Sequence, residues 1–340
     1  MHVPQKNSLN ATLGNLHESV RVRLEQFINA CAVDPHRQEA WAVFDWDHTL
    51  FQGDIGDAMF SYLLHHSLLY CPRTWRETSD HLTPACVHTL ETLLQHESTR
   101  IPASDELRAQ MAHVYFHHQT IAGFSAFTGY DQAESHPSYA WLARLCAGFS
   151  IHELRTITRE VLQDLLQSNP GTEKYGYPGE WYARPALVVM DVLKKLHAAG
   201  LCIAVVSASP QVMLESCIDF FNLPVTYAIG VRVQIDANGR LTSRLAPCGR
   251  RAGVIPYGRG KRAWISHVIG QRDDPAFEIP DDALTQRIWF AAGDSDGDWA
   301  MLQDASRLRW VLATYDNRVV QMARENADGN WLLNILHSEA

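Results

Sequence analysis

Three short apolar runs, at residues 41–44, 202–206 and 288–292, each stop abruptly at a cluster of small polar and acidic residues. The runs are too short for helices and rich in apolar residues, which is how strands buried on both faces of a parallel sheet read in a sequence. The clusters behind them are Asp45-Trp46-Asp47, Ser207-Ala208-Ser209 and Gly293-Asp294-Ser295-Asp296-Gly297-Asp298. Ligands of open α/β sheets gather at the carboxyl ends of strands. Polar clusters in the same position behind three strands therefore predict one shared site.

The intervening segments fit that frame. Residues 186–199 space Val189, Val192, Leu193 and Leu196 at i, i+3, i+4 and i+7 before Gly200, which predicts a helix leading into the second strand. Ser209-Pro210 reads as a helix N-cap with proline in the first turn, and Met213, Cys217, Phe220 and Phe221 share one face of that helix. A phosphate could rest on its N-terminus. Residues 231–245, with Asp236-Ala237-Asn238-Gly239 at the centre, read as a hairpin. Residues 308–313 read as a further strand, and 168–179 and 270–282 as loops.

From about Ala58 to Tyr182 no comparable strand occurs, and 58–69, 83–94 and 151–166 carry helical periodicity. The expected architecture is an α/β three-layer core around a mostly parallel sheet, with a helical domain inserted. The expected division is 1–57 for an N-terminal helix and the first part of the core, 58–182 for the insert, and 183–340 for the rest of the core.

The formal net charge of -9 is dispersed, so no basic footprint for nucleic acid is present. No run approaches the roughly 18 apolar residues of a membrane span. The seven cysteines are scattered without zinc spacing or a CxxC pair and imply a reduced compartment. The polar first sixteen residues lack the apolar stretch of a signal peptide. The protein reads as cytoplasmic, or as periplasmic if a signal peptide has been removed.

Two aspartates one residue apart behind a strand, Asp45 and Asp47, can converge on one phosphate if the chain curls after the strand. Asp45 would then be the nucleophile and Asp47 the acid, provided that their environments separate their protonation. Taken singly, an Asp-x-Asp is an ordinary turn or cap. Ser207 could hold a phosphoryl oxygen, assisted by backbone N–H groups from Ala208 onward. Lys261, in Gly258-Arg259-Gly260-Lys261-Arg262, could neutralise charge on a transferred group, although an isolated lysine is usually a solvated one. A Walker A loop is excluded by Arg262 and by the missing upstream glycine. Asp294 and Asp298 make the third cluster too acidic to sit beside a buried strand end without a cation, and oxygen ligands favour Mg²⁺. An EF-hand is excluded because Trp299-Ala300-Met301-Leu302 continues as an apolar helix.

The order Asp-x-Asp-x-Thr, strand-Ser, Lys, Gly-Asp-x-x-x-Asp resembles the haloacid dehalogenase superfamily of phosphohydrolases. Its four motifs match Asp45, Asp47 and Thr49, then Ser207, then Lys261, then Asp294 and Asp298. The resemblance covers the core, about half the chain. It implies that Asp45 attacks phosphorus and that Asp47 protonates the leaving oxygen and then activates the water that hydrolyses the aspartyl-phosphate. It also implies that Mg²⁺ is held by the Asp45 carboxylate, the Asp47 backbone carbonyl and Asp294, with Asp298 holding metal-bound water or orienting Lys261. The helical insert looks like the superfamily's cap, of the C1 type, which would carry specificity.

Ser-Ala-Ser-Pro, the Asn238-Gly239 hairpin and Ala147-Gly148-Phe149-Ser150-Ile151-His152-Glu153-Leu154 make the branch look like phosphoserine and phosphorylcholine phosphatases. In that comparison Asp54 falls where a carboxylate meets the substrate ammonium. Trp141 falls where phosphoserine phosphatases carry a carboxylate-binding arginine, with Arg144 as the neighbouring candidate. Trp141 would instead suit a choline-like head, and Tyr175, Tyr177, Trp181 and Tyr182 could add to such a cage or simply pack. The expected substrate is a small phosphorylated metabolite of the phosphocholine, phosphoethanolamine or phosphoserine type. The pairs His65-His66 and His117-His118 lack metal spacing and read as surface. A phospho-accepting signalling domain also combines aspartates, a hydroxyl and a lysine around Mg²⁺, but an acid/base at Asp47 argues for turnover. An inactive phospho-ligand-binding relative remains the other alternative.

Overall fold

A computed structural model describes residues 16–94, 99–101, 104–132, 134–169, 172–175, 183–313 and 315–335. Helix α1 (Glu18–Val33) leads to β1 (Trp41–Phe44) and the short β2 (Phe51–Gln52). Then come five helices: α2 (Ile55–His65), α3 (Pro84–Leu93), α4 (Asp105–His117), α5 (Pro137–Leu145) and α6 (Ile151–Gln167). The chain returns through β3 (Arg184–Pro185), α7 (Leu187–Ala198), β4 (Cys202–Pro210), α8 (Gln211–Phe220) and β5 (Tyr227–Val231). A hairpin of β6 (Val233–Ile235) and β7 (Leu241–Leu245) precedes α9 (Arg259–Val268), α10 (Asp282–Thr285) and β8 (Ile288–Gly293). The chain closes with α11 (Trp299–Gln303), β9 (Leu308–Ala313), α12 (Arg318–Glu325) and β10 (Trp331–Ile335).

Six strands form one parallel sheet in the order β10-β9-β8-β1-β4-β5. The chain leaves β1 towards β4 on one side and later adds β8 on the other, so the order reverses at β1. That reversal opens the crevice where ligands of such sheets bind. Alternation along the strands divides the core into two layers. Ala42 and Phe44 face the apolar cluster that contains Leu24 of α1 and Leu193 of α7. Trp41 and Val43 face the cluster built on Trp264 of α9, Met301 of α11 and Val320 of α12. The expected α/β three-layer core is therefore present, and no helix among the described residues is long and apolar enough to cross a membrane.

The helical segment between β2 and β3 packs onto the core through α5, against β4 and β7, and through α6, against α8. Its apolar interior is continuous with the core layer under α1 and α7. Its first helix starts three residues earlier than the periodicity implied, because Asp54 caps it by accepting from Asp57 N at 2.9 Å.

Candidate active site

Pairing of β1 with β8 sets the first residue of the site, since Asp45 N donates to Ala292 O at 2.9 Å. Helix α9 delivers Lys261, whose Nζ donates to Asp45 Oδ1 at 2.6 Å, Val206 O at 2.8 Å and Asp298 Oδ1 at 2.5 Å. All three ammonium protons are thus used in a fully buried position. Burial works against the charged amine, but Asp298 and Asp45 outweigh it and push its pKa up.

Behind β8 the chain turns through a short 3₁₀ helix, Asp296–Asp298. Asp298 Oδ2 folds back to accept Asp294 N at 3.0 Å and Ser295 N at 3.2 Å. Gly293 makes this return possible: a Cβ there would lie 2.7 Å from the Asp298 side chain. Asn317, at the head of α12, donates to Asp294 O at 2.9 Å and ties the turn to the next layer.

The oxygens of Asp45, Asp294 and Asp298 come within 4.8 Å of one another, all three residues buried. Lys261 offsets one of these three charges. The Asp45 carboxyl is pushed up to about 7 by burial and by Asp298, against the pull of Lys261. Asp294 is raised well above the carboxylate range by burial, then by Asp298 and Asp45. A compact, all-oxygen, under-compensated anionic cluster fits a hard divalent cation such as Mg²⁺.

Asp47 stands apart from that cluster. Its Oδ1 accepts Ile55 N at 2.9 Å, and its Oδ2 accepts Ser207 Oγ at 3.0 Å and Ser209 Oγ at 2.7 Å. Burial and then Asp54 push its carboxyl up to about 7, while the Ser209, Ile55 and Ser207 hydrogen bonds pull it down. Ser207 Oγ in turn accepts Ser209 N at 2.9 Å, and Ala208 lies between the two serines. Thr49 Oγ1 is buried without a hydrogen-bond partner.

Three expectations are corrected here. Ser209 does not cap α8: strand β4 continues to Pro210, which occupies the N-cap position without a side-chain bond, and the Ser209 hydroxyl turns to Asp47. Trp141 does not line a substrate surface. It is completely buried, its Nε1 donates to Thr78 Oγ1 at 2.9 Å, and its ring packs among Phe60, Trp75 and Phe127. Arg144 is likewise engaged, pairing with Asp80 at 2.8 Å and donating to Glu77 O at 2.9 Å. His118 also turns inward, with Nε2 3.1 Å from Ser138 Oγ, whereas His65, His66 and His117 are exposed. Tyr175 packs on His65, and Tyr177, Trp181 and Tyr182 lie outside the described residues.

Beside the site, α2 carries a second pair of carboxylates, Asp54 and Asp57. Burial, then Asp57, raises Asp54 well above its ordinary range. Asp57 is pushed up to about 7 by burial, against the pull of the Tyr115 phenol. Tyr115 Oη is fully buried and faces Asp57. Asp57 and Tyr115 escape local sequence reading because they meet only through the packing of α2 on α4. A loop of the insert also reaches the core here: Glu134 accepts Arg259 N at 3.1 Å and pairs with its guanidinium at 3.2 Å, at the start of the helix that carries Lys261.

A parallel α/β sheet whose central strand, two neighbouring strand ends and helix α9 converge on carboxylates, serines and a lysine places one polar site at its switch point. The haloacid dehalogenase-like hydrolase family model matches residues 42–303, and the chain belongs to that family. Among solved structures, it is similar to a conserved protein of unknown function from Anaerococcus prevotii, with 16% identity over 93% of this chain and 92% of that one and a TM-score of 0.60. It is also similar to a protein of unknown function from Bordetella pertussis, with 17% identity over 86% of this chain and 96% of that one and a TM-score of 0.51. A HAD family hydrolase from Salmonella enterica aligns at 13% identity over 91% and 75% of the two chains, with a TM-score of 0.41. At these identities the likeness concerns the fold. No curated protein sequence matches the chain.

Proposed function

We propose that the protein is a Mg²⁺-dependent phosphomonoesterase that works through an aspartyl-phosphate on Asp45. The observation that carries this reading is the lysine bridge: Lys261 Nζ spans Asp45 Oδ1 and Asp298 Oδ1 directly behind the central strand. It aims Asp45 and supplies fixed positive charge where phosphoryl charge accumulates. Asp45, Asp294 and Asp298 would hold the metal, with the Asp47 backbone carbonyl, and the ion supplies neutralisation of phosphoryl oxygens. Asp45 attacks phosphorus and the leaving oxygen takes its proton from Asp47. Water then attacks phosphorus, gives its proton to Asp47 and releases Asp45. Ser207 Oγ and the backbone from Ala208 onward receive a phosphoryl oxygen. Hydrolysis of p-nitrophenyl phosphate with and without Mg²⁺ tests this, and an absence of Mg²⁺-stimulated turnover would refute it.

The helices from 58 to 182 would act as the cap that excludes water from the transfer step. For the leaving group we favour one that carries an N–H-bearing ammonium. Asp54 and Asp57 are carboxylates that no lysine or arginine pairs with among the described residues, and the Tyr115 phenol stands beside Asp57. Half-buried carboxylates without a cationic partner fit a cation in the complex. Tyr115, and Tyr139 whose phenol feels the same Asp54 and Asp57 charges, are each stacked on another ring, Phe60 at 4.0 Å and His136 at 4.1 Å, which suits hydrogen bonding more than a trimethylammonium cage. With Arg144 committed to Asp80, a substrate carboxylate lacks its reader. A phosphoethanolamine-like substrate therefore fits better than phosphocholine or phosphoserine. Parallel kinetics should show the highest kcat/KM on phosphoethanolamine, and equal, low values on all three would sink the assignment.

A further inference from the structure

Asp47 must serve in both halves of the proposed reaction, yet one of its two hydroxyl partners, Ser207, is also the group expected to hold a phosphoryl oxygen. A serine has a single proton to donate. In the structure Ser207 spends it on Asp47 Oδ2, at 3.0 Å. Once Ser207 turns to the phosphoryl group, Asp47 Oδ2 keeps one donor: Ser209, the closer of the two at 2.7 Å.

Ser209 is built to stay in place. It is buried. Its N–H is fixed on Ser207 Oγ. The β4 to β5 register shifts between Val206 and Pro210, which brings the serine main chain close to Gly230. A Cβ on Gly230 would stand 2.7 Å from Ser209 O, so that glycine permits the approach, and on the other side a Cβ on Gly56 of α2 would come into ordinary contact with Ser209 Oγ, at 3.6 Å. The hydroxyl caps no helix, since α8 begins without a side-chain cap.

We propose that Ser209 is a positioning residue that holds the Asp47 carboxylate on station while the aspartyl-phosphate is hydrolysed, leaving Ser207 free for the phosphoryl group. The inference rests on the reaction proposed above. In the step concerned, the water oxygen bonds to phosphorus as the bond from Asp45 Oδ to phosphorus breaks. The bonding pair returns to the Asp45 carboxylate, the water proton passes to Asp47, and inorganic phosphate leaves. A misplaced Asp47 slows this step most, because nothing but Asp47 takes the proton there.

The test compares Ser209→Thr with Ser209→Val, two side chains of nearly equal shape of which one keeps the hydroxyl. Phosphoenzyme is trapped by acid quench from p-nitrophenyl phosphate and from an alkyl phosphate at saturating Mg²⁺. For S209V we expect kcat to fall by about 10- to 100-fold, KM to fall with it, and phosphoenzyme to accumulate at steady state. With hydrolysis limiting, kcat should become the same for both substrates. S209T should restore wild-type behaviour. If S209V and S209T trap equal, wild-type levels of phosphoenzyme, or lose kcat/KM together, the positioning role is overturned while the reaction stands. A wild-type protein that forms no phosphoenzyme, or an active Asp45→Asn variant, would overturn the reaction itself.

Discussion

Lys261 Nζ lies 2.6 Å from Asp45 Oδ1, a buried ion pair that joins helix α9 to the end of the central strand. Removing the lysine leaves the Asp45 and Asp298 carboxylates buried without their cation, at a cost on the order of 3–5 kcal/mol. Lys261→Met should therefore lower kcat by at least about 100-fold and also lower the melting temperature in chelator. Saturating Mg²⁺ should recover part of the stability and none of the rate. A K261M protein with normal turnover would remove the lysine from the mechanism.

Replacing the proposed nucleophile should separate fold from activity. Asp45→Asn removes one of three crowded carboxylates and retains the shape of the side chain, so the chelated variant should melt no lower than the wild type while turnover disappears. Circular dichroism melts beside p-nitrophenyl phosphate assays give both readouts. Wild-type-like activity would exclude Asp45 as the attacking group.

Metal removal should act on stability with a defined pH sign. The Asp45 carboxyl sits at about 7 in the folded chain, raised by burial and Asp298, against about 4 in an unfolded one. Between those values the folded state binds more protons, so the contribution is full below pH 4 and is lost as pH rises towards 7, by about 1.4 kcal/mol per pH unit for one group. A bound cation would offset both burial and the Asp298 charge. The gap between melts in Mg²⁺ and in EDTA should widen from pH 5 to pH 7.5, and a gap independent of pH would contradict the cluster's role.

His136 predicts the opposite trend. Burial, then His118, holds its imidazole down at about 3, and its Nδ1 is 2.9 Å from Ser138 Oγ. An unfolded histidine titrates near 6.5. The neutral folded form therefore contributes fully above pH 6.5, and stability falls as pH drops from there towards 3. His136→Gln should flatten that acid limb in denaturant titrations. An unchanged slope would show that the ring is not held neutral.

Trp141 should behave as a packing residue. Trp141→Ala should cost about 3–5 kcal/mol, and Trp141→Phe about 1 kcal/mol for the lost bond to Thr78. The ranking of kcat/KM among phosphoethanolamine, phosphocholine and phosphoserine should not change in W141F. A selective loss on phosphocholine would restore a binding role.

Strands β1, β8 and β9 were legible because each is a buried apolar run ending in polar residues, and the residues behind β1 and β8 came with them. Strand β10 and the edge strand β5 are not legible in this way, since Asn334 interrupts one run and Gly230 the other. Ser209 was misassigned for a physical reason: Ser-Pro favours a cap locally, whereas the partner that claims its hydroxyl, Asp47, is remote in sequence and reached only through sheet pairing. Trp141 illustrates a different blind spot, because an aromatic on a helix has the same periodicity whether it lines a pocket or fills a core. Asp54 was legible as a carboxylate near the site, but its companions Asp57 and Tyr115 depend on tertiary packing.

The position of β1 between β4 and β8 has a consequence for biosynthesis. At about 5–20 residues per second, the ribosome presents β1 on the order of ten seconds before β4, and β8 later still. Until then the strand that bears Asp45 has unpaired edges on both sides, and the helical segment is made while its landing surface on β4, β7 and α8 does not yet exist. The site is complete only when the last third of the chain emerges, so a truncated product would expose sticky strand edges around an unfinished site. Expression faults in this protein should therefore surface as aggregation rather than as partial activity.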